Sequence, residues 1–230
     1  MRTQSIDPYI SNVFKSVDMK AFEVLVHTMY HIKTISGKAD GTVNVPSELS
    51  YFQIKTGQQD DTGFATSYED INMEVPGQIG TPYKFWGQTL HAFTLPAKDS
   101  EKPALDLFDK AAVEKSFLND SVKLLNRGVV TLNILNQPIL RVAPIGMIPA
   151  GMAAKAPSVF GFDADVAAQT VENGVDGVSG YPIDLYLEDQ ISFDFRVNFP
   201  SGVFKLYNTL RLGFAIKGFL IRPRQGGGRA

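Results

Sequence analysis

The sequence predicts an all-β protein, an antiparallel β-sandwich with one inserted helix and long loops. Three observations carry this. The stretch from Pro182 to Arg224 holds two long alternating runs, Ile183 to Phe199 and Leu210 to Arg222. Leu210, Leu212, Phe214, Ile216 and Leu220 share one parity, and Arg211, Gly213, Ala215 and Lys217 the other. Successive strand side chains point to opposite faces, so this is one apolar and one mixed face. Between Thr42 and Leu95, short runs are broken by turn formers (TGQQDDTG, PGQIGTP), a spacing that suits a sandwich or barrel and not βαβ units. Finally, 16 Phe and 8 Tyr against one Trp favour pleated, half-buried surfaces. A chain of 230 residues is long enough to bury a core without cross-links.

In chain order, residues 1–18 are polar with apolar anchors at Ile6, Tyr9, Ile10, Val13 and Phe14 and read as an N-terminal arm. Residues 19–36 fit two patterns. Phe22, Leu25, Val26, Met29 and Ile32 approximate a helical stripe, whereas Phe22, Val24, Val26, Tyr30 and Ile32 make a strand face. The β-branched content tilts the reading to strand. TVNV, SYFQIK, SYEDINMEV and YKFWGQTLHAFTL follow as candidate strands. Pro103 to Leu118 is the expected helix, with Leu105, Phe108, Ala111, Ala112 and Lys115 on one stripe and proline in the first turn. Val122 to Ile148 reads as β again, with VVTLNIL and PILRVAPI turning at Asn136 and Gln137. The small-residue segment 155–181 reads as a long loop. Residues 226–230 read as a flexible tail. The organisation expected is an arm (1–18), one domain (19–225) and that tail.

The formal charge of −2 offers no global attraction to nucleic acid or acidic membranes. The absence of cysteine removes disulfides, thiolate nucleophiles and Cys-dependent zinc sites. The first twenty residues hold no apolar core of signal-peptide length, and no apolar run reaches the ~18 residues of a membrane helix.

No stretch spells out catalysis, so no catalytic, cofactor or metal residue is assigned. His27 and His31 share a face, but no glutamate follows His27 as in HExxH, which leaves a metal site without a third ligand; His91 stands apart. Ser179 is not framed as G-x-S-x-G. Gly77 to Thr81 lacks the Gly-Lys-Ser/Thr of a phosphate loop. Asp163 and Asp165 begin a calcium-loop spacing that Ala167 and Ala168 break, and Asp60–Asp61 is isolated. Glu69–Asp70 and Glu188–Asp189 could serve glycoside chemistry only if the fold paired them suitably. Tyr51, Phe52, Tyr83, Phe85 and Trp86 could stack on sugars, or could simply be core.

Charge distribution is more informative. From Lys205 onward there are six cations (Lys205, Arg211, Lys217, Arg222, Arg224, Arg229) and no acid. Such a segment can face phosphate, anionic lipid or an acidic neighbour, and Arg222, Arg224 and Arg229 are the candidate partner contacts.

LNRGVVTLNILNQPILRVAPIGMIPAG, then DLYLEDQISFDFRVNF and LRLGFAIKGFLIRPR, resemble jelly-roll capsid proteins of tailless icosahedral bacteriophages, over residues 120–225. The likeness lies in long Phe-rich strands around a wandering small-residue loop, and no functional residue is carried over. It implies a jelly-roll sandwich, with one elaborated roll fitting the length better than two. It also implies a structural, non-enzymatic virion protein that assembles with copies of itself and other capsid proteins. On that reading the basic C-terminal end would be where viral membrane or genome is met, with no cofactor and no small-molecule substrate. The alternatives are a carbohydrate-binding or adhesion module and, less favoured, a hydrolase or lyase with dispersed carboxylates.

Overall fold

The computed structural model describes residues 22–38, 40–41, 45–80, 82–98, 115–135, 137–149, 155–159, 168–172, 180–200 and 204–223. Ten strands, one α-helix and one 3-10 turn (Ile145–Met147) lie in these segments: β1 (Phe22–Ile35), β2 (Glu48–Tyr51), β3 (Lys84–Pro96), α1 (Phe117–Arg127), β4 (Val129–Ile134), β5 (Gln137–Pro144), β6 (Lys155–Val159), β7 (Ala168–Glu172), β8 (Tyr181–Leu187), β9 (Phe193–Asn198) and β10 (Leu210–Pro223). They form two four-stranded sheets, in the orders β1-β10-β3-β8 and β2-β9-β4-β5, and a two-stranded β6-β7 sheet. Every pairing is antiparallel. The all-β sandwich expected from the alternation is what the chain builds.

The core lies between the two four-stranded sheets. β10 contributes Leu210, Leu212, Phe214 and Ile216, all fully buried, as its parity predicts. Across from it stand Leu49, Tyr51, Phe193, Phe195 and Val197 of β2 and β9. β10 is central in its sheet, which explains why its other parity is also covered: Ala215 is buried, and Gly213 lies against Phe93 and Ile32. A bulge between Lys217 and Gly218 lets β10 continue along β3 with its parity shifted. Gly218 belongs there because a Cβ would stand 2.0 Å from the Trp86 carbonyl oxygen.

Residues 22–35 are strand, the reading that the β-branched content favoured. The apolar face, however, points the other way. Met29, His31, Lys33 and Ile35 stand opposite Ile216, Phe214, Leu212 and Leu210 and so face the core, whereas Val26 is 82 % exposed. The polar row is the inward one because a later loop supplies its partners, as described below.

Four expectations need correction. Residues 117–127 are helix, where β was expected from Val122 onward. Ser116 caps α1 by accepting the Asn119 N–H at 3.2 Å, and Asp120 and Arg127 suit the helix dipole at opposite ends. The helix expected at 103–118 falls mostly outside the described residues. SYEDINMEV is not a strand: Ser67 to Asp70 forms a turn, in which the Asp70 amide donates to the Ser67 carbonyl, and only isolated bridges follow, Ile71 to His31 and Val75 to Gln78. The 155–181 segment contains the paired strands β6 and β7. Finally, the β4–β5 turn lies one residue earlier than expected. Ile134 pairs with Gln137, and Leu135 takes a φ of 52°, the left-handed conformation that tight hairpins of type I′ require.

Candidate functional site

The long connection from Phe52 to Tyr83 folds back over β1 and encloses a cluster of charged groups. Its centre is His31 on the core-facing row of β1. His31 Nδ1 accepts the Phe52 N–H at 2.7 Å, so the ring proton sits on Nε2, which is buried and unpartnered. Phe52 is fully buried with a φ of 69°, a strained value for a bulky residue. Tyr51 and Phe52 meet the imidazole edge-on. Burial, and then the nearby Lys33 ammonium, hold the His31 pKa down to about 3 against a smaller opposing pull from Asp70.

Lys33, two residues on, is 2 % exposed at its side chain and ion-pairs with Asp61. Its ammonium also sits 5.4 Å from the Tyr51 ring centroid. Burial pushes its pKa down, and the Asp61 hydrogen bond pushes it back up. Asp61 accepts the Ser50 N–H through its other oxygen at 3.1 Å. Asp60 closes its own loop by accepting from Thr62 N, Thr62 Oγ1 and Phe64 N. The two aspartates that could have begun a cation loop are thus each occupied by protein donors.

Asp70 anchors a second layer. Its Oδ2 accepts from the Ser67 N–H (2.9 Å), the Ser67 hydroxyl (2.8 Å) and Lys98 Nζ (2.8 Å). Arg211 Nη1 lies 3.7 Å from Oδ1, while Arg211 Nε donates to the Pro96 carbonyl. Burial alone would raise the Asp70 pKa, but Lys98 and Ser67 together hold it below the ordinary carboxylate range. Beside these groups lies a pocket of about 350 Å³ lined by Thr34, Phe64, Ala65, Asp70, Ala97, Lys98 and Thr209.

This arrangement has the chemistry of an ion-pair lock. Ser67 stands 3.0 Å from Lys98, yet a Ser–Lys nucleophile needs a lysine that readily loses its proton. The Asp70 hydrogen bond instead raises the Lys98 pKa. His31 cannot relay protons near neutrality, because its accepting nitrogen is taken and its pKa is low. What the cluster does is tie the 52–80 connection to β1, β2 and β10.

The remaining candidates are dispersed. His27 and His31 share the inward face of β1, but four steps along an extended strand set them ~13 Å apart. His27 packs edge-on against Phe85. His91 lies on the opposite face, within 3.1 Å of Thr89 Oγ1. No cluster of three metal-ligating side chains occurs among the described residues. Gly77, with a φ of 62°, serves a turn that bonds Phe52 and Phe193. Glu69 pairs with Lys98 and Glu188 with Lys84. Tyr51, Phe52, Phe85 and Trp86 are all at least 97 % buried, and Tyr83 packs on the core. Ser179, Asp163 and Asp165 lie outside the described residues.

Of the three arginines expected to meet a partner, Arg222 is described: it ion-pairs with Glu23 across β1 and β10 and remains about a third exposed at its side chain. Arg224 and Arg229 lie outside the described residues. Arg211, from the same basic stretch, is drawn into the Asp70 cluster. Sequence reasoning missed that cluster. Its one visible sign was the pair of polar residues His31 and Lys33 on the same parity as Met29 and Ile35, a polar intrusion that a core-facing row admits only with partners.

Compared with models of known protein families, with curated proteins and with solved structures, the chain matches none.

Proposed function

We propose that the sandwich is an eight-stranded jelly roll carrying the β6–β7 hairpin as an insertion, and that the chain is a structural subunit of an icosahedral capsid. The observation that supports it is the nesting of the strand pairs. With β6 and β7 set aside, the first strand pairs with the last (β1–β10), the second with the next to last (β2–β9), the third with β8 and the fourth with β5. Folding a long antiparallel ribbon and rolling it across two sheets produces that nesting, and double-sheet rolls of this kind recur in viral capsids and lectins. The resemblance of residues 120–225 to phage capsid strands favours the capsid use. In this reading the protein resides in the virion, acts without catalysis or cofactor, and contacts other copies of itself and other capsid proteins. Its basic C-terminal end faces genome or membrane.

The carbohydrate-binding alternative depended on aromatic faces, and its five candidate residues are engaged in the core. Light scattering across a concentration series, with negative-stain microscopy, tests the capsid reading. Rings or shells are expected. A chain that stays monomeric at high concentration and in assembly-promoting salt overturns it.

A further inference from the structure

β1 is an edge strand whose outer edge is only partly covered. The Tyr30 N–H donates to Asn72 Oδ1 (2.9 Å) and the Ile32 N–H to the Asp70 carbonyl (2.6 Å). The Thr28 carbonyl accepts from Asn72 Nδ2 (2.7 Å) and the Tyr30 carbonyl from Asn72 N (3.4 Å). All these outward bonds fall on even-numbered residues, and β1 pairs with β10 without a register shift. The N–H and C=O groups of Val24 and Val26 therefore face the same edge. Among the described residues, no hydrogen bond reaches them there. Val26 is also the most exposed of the large hydrophobic side chains described, at 82 %.

An unpaired edge of this kind is a template for another extended strand, and the local sequence says which. Glu23-Val24-Leu25-Val26-His27 complements itself when paired antiparallel, apolar at the centre with the carboxylate of one end set against the imidazole of the other. We propose that a second copy of this chain adds its own β1 to this edge, antiparallel, about a two-fold axis at Leu25. In that register Val24 of each copy bonds Val26 of the other, and Leu25 faces Leu25. Glu23, already linked to Arg222, stands opposite His27. Each surface is its own complement, as a two-fold interface requires, and the cross-strand pairs are apolar–apolar or acid–base. The two β1-β10-β3-β8 sheets become one continuous sheet. This proposal does not rest on the capsid reading.

So short an edge buries far less than the ~800 Å² per partner of a stable interface, so the test traps the contact. The chain has no cysteine, and Leu25 facing Leu25 is a non-hydrogen-bonded pair with Cα atoms about 4.5 Å apart, within disulfide range. Purified full-length Leu25→Cys in a glutathione redox buffer is expected to form a covalent dimer, whereas Tyr68→Cys, on a residue 79 % exposed, stays largely monomeric. Adding Val26→Pro removes an outward N–H that has no partner among the described residues and is expected to lower the dimer yield about tenfold. If that variant fails to fold by circular dichroism, Val26→Lys serves with the same expected direction. Equal yields from Leu25→Cys and Tyr68→Cys, or a yield indifferent to both Val26 changes, overturn the proposal. So does a Leu25→Cys dimer that forms only after residues 1–20 are deleted, which would assign the edge to that segment.

Discussion

His31 and Lys33 make the strongest claims at the scale of single residues. Replacing His31 with Ala leaves the buried Phe52 N–H unsatisfied and opens a cavity beside the Tyr51 and Phe52 rings, a loss of about 2–4 kcal/mol measurable by urea unfolding. The pH dependence follows from the imidazole. Its folded pKa, about 3, lies below the unfolded value of 6.5, so the unfolded chain takes up a proton first as pH falls. The stabilisation is fully present above pH 6.5 and lost progressively toward pH 3. Between pH 6.5 and 4.5 the His31 share amounts to about 2–3 kcal/mol. His31→Gln, which can still accept from Phe52 without titrating, is expected to flatten the curve by that amount. His27 and His91 are also lowered, mainly by burial, and leave a smaller slope in the same direction. For the Lys33–Asp61 pair, Asp61→Ala strands a buried ammonium and is expected to cost about 1–3 kcal/mol, reduced from the fully buried case because Asp61 is 42 % exposed. Lys33→Met, by contrast, is expected to be close to neutral. If thermal melts rank these two variants the other way, the lock is misassigned.

Among the elements, α1 and the β10 bulge depend on single positions. Asp120 is fully buried. Its Oδ2 accepts from Tyr207 N, Asn208 N and Asn208 Nδ2 at 2.7–3.0 Å, and Oδ1 meets Lys123. One carboxylate in the first turn of α1 thus holds the segment leading into β10. Asp120→Ala is expected to cost about 2–4 kcal/mol, well beyond the ~1 kcal/mol of removing the Ser116 cap. Gly218→Ala drives a methyl into the Trp86 carbonyl, and is expected to lower the melting temperature and weaken amide-exchange protection along β3. β10 was the most legible element, because a central strand needs an apolar row and declares it by parity. α1 was missed because Val122, Leu124 and Leu125 run with little break into the β-branched sequence of β4, and its cap signal, Ser116, falls within the stretch expected as helix. The 67–75 run has strand-forming residues but no neighbour beyond β1's edge, so local hydrogen bonds of Ser67 and Asp70 shape it instead.

For the molecule as a whole, the sandwich was readable because its two inner faces impose a period of two over many residues. The pairing scheme was not, since alternation says that a strand has a buried face but not which strand lies beside it. The ion-pair lock was hidden for the same reason. Its members come from positions 31, 33, 61, 67, 70, 98 and 211, and only the nested pairing brings them together. The capsid prediction also belongs at this scale. If it holds, acid that protonates the histidines should loosen subunits and shells together, seen as parallel loss of light scattering and of native tryptophan emission.

The pairing of β1 with β10 joins Glu23 to Arg222, 199 residues away. During synthesis, β1 leaves the ribosome long before its principal neighbour exists. At ordinary elongation rates of about 5–20 residues per second, that wait is about 10–40 s. Throughout it, β1 would expose Val24, Val26 and a full row of unpaired amides on both sides, a hazard for clumping with neighbouring nascent chains on the same message. Release of the last strand, and not the appearance of the first, is then the event that commits this sheet to fold. Slowing translation over residues 36–209 should therefore lower soluble yield, whereas faster completion should raise it.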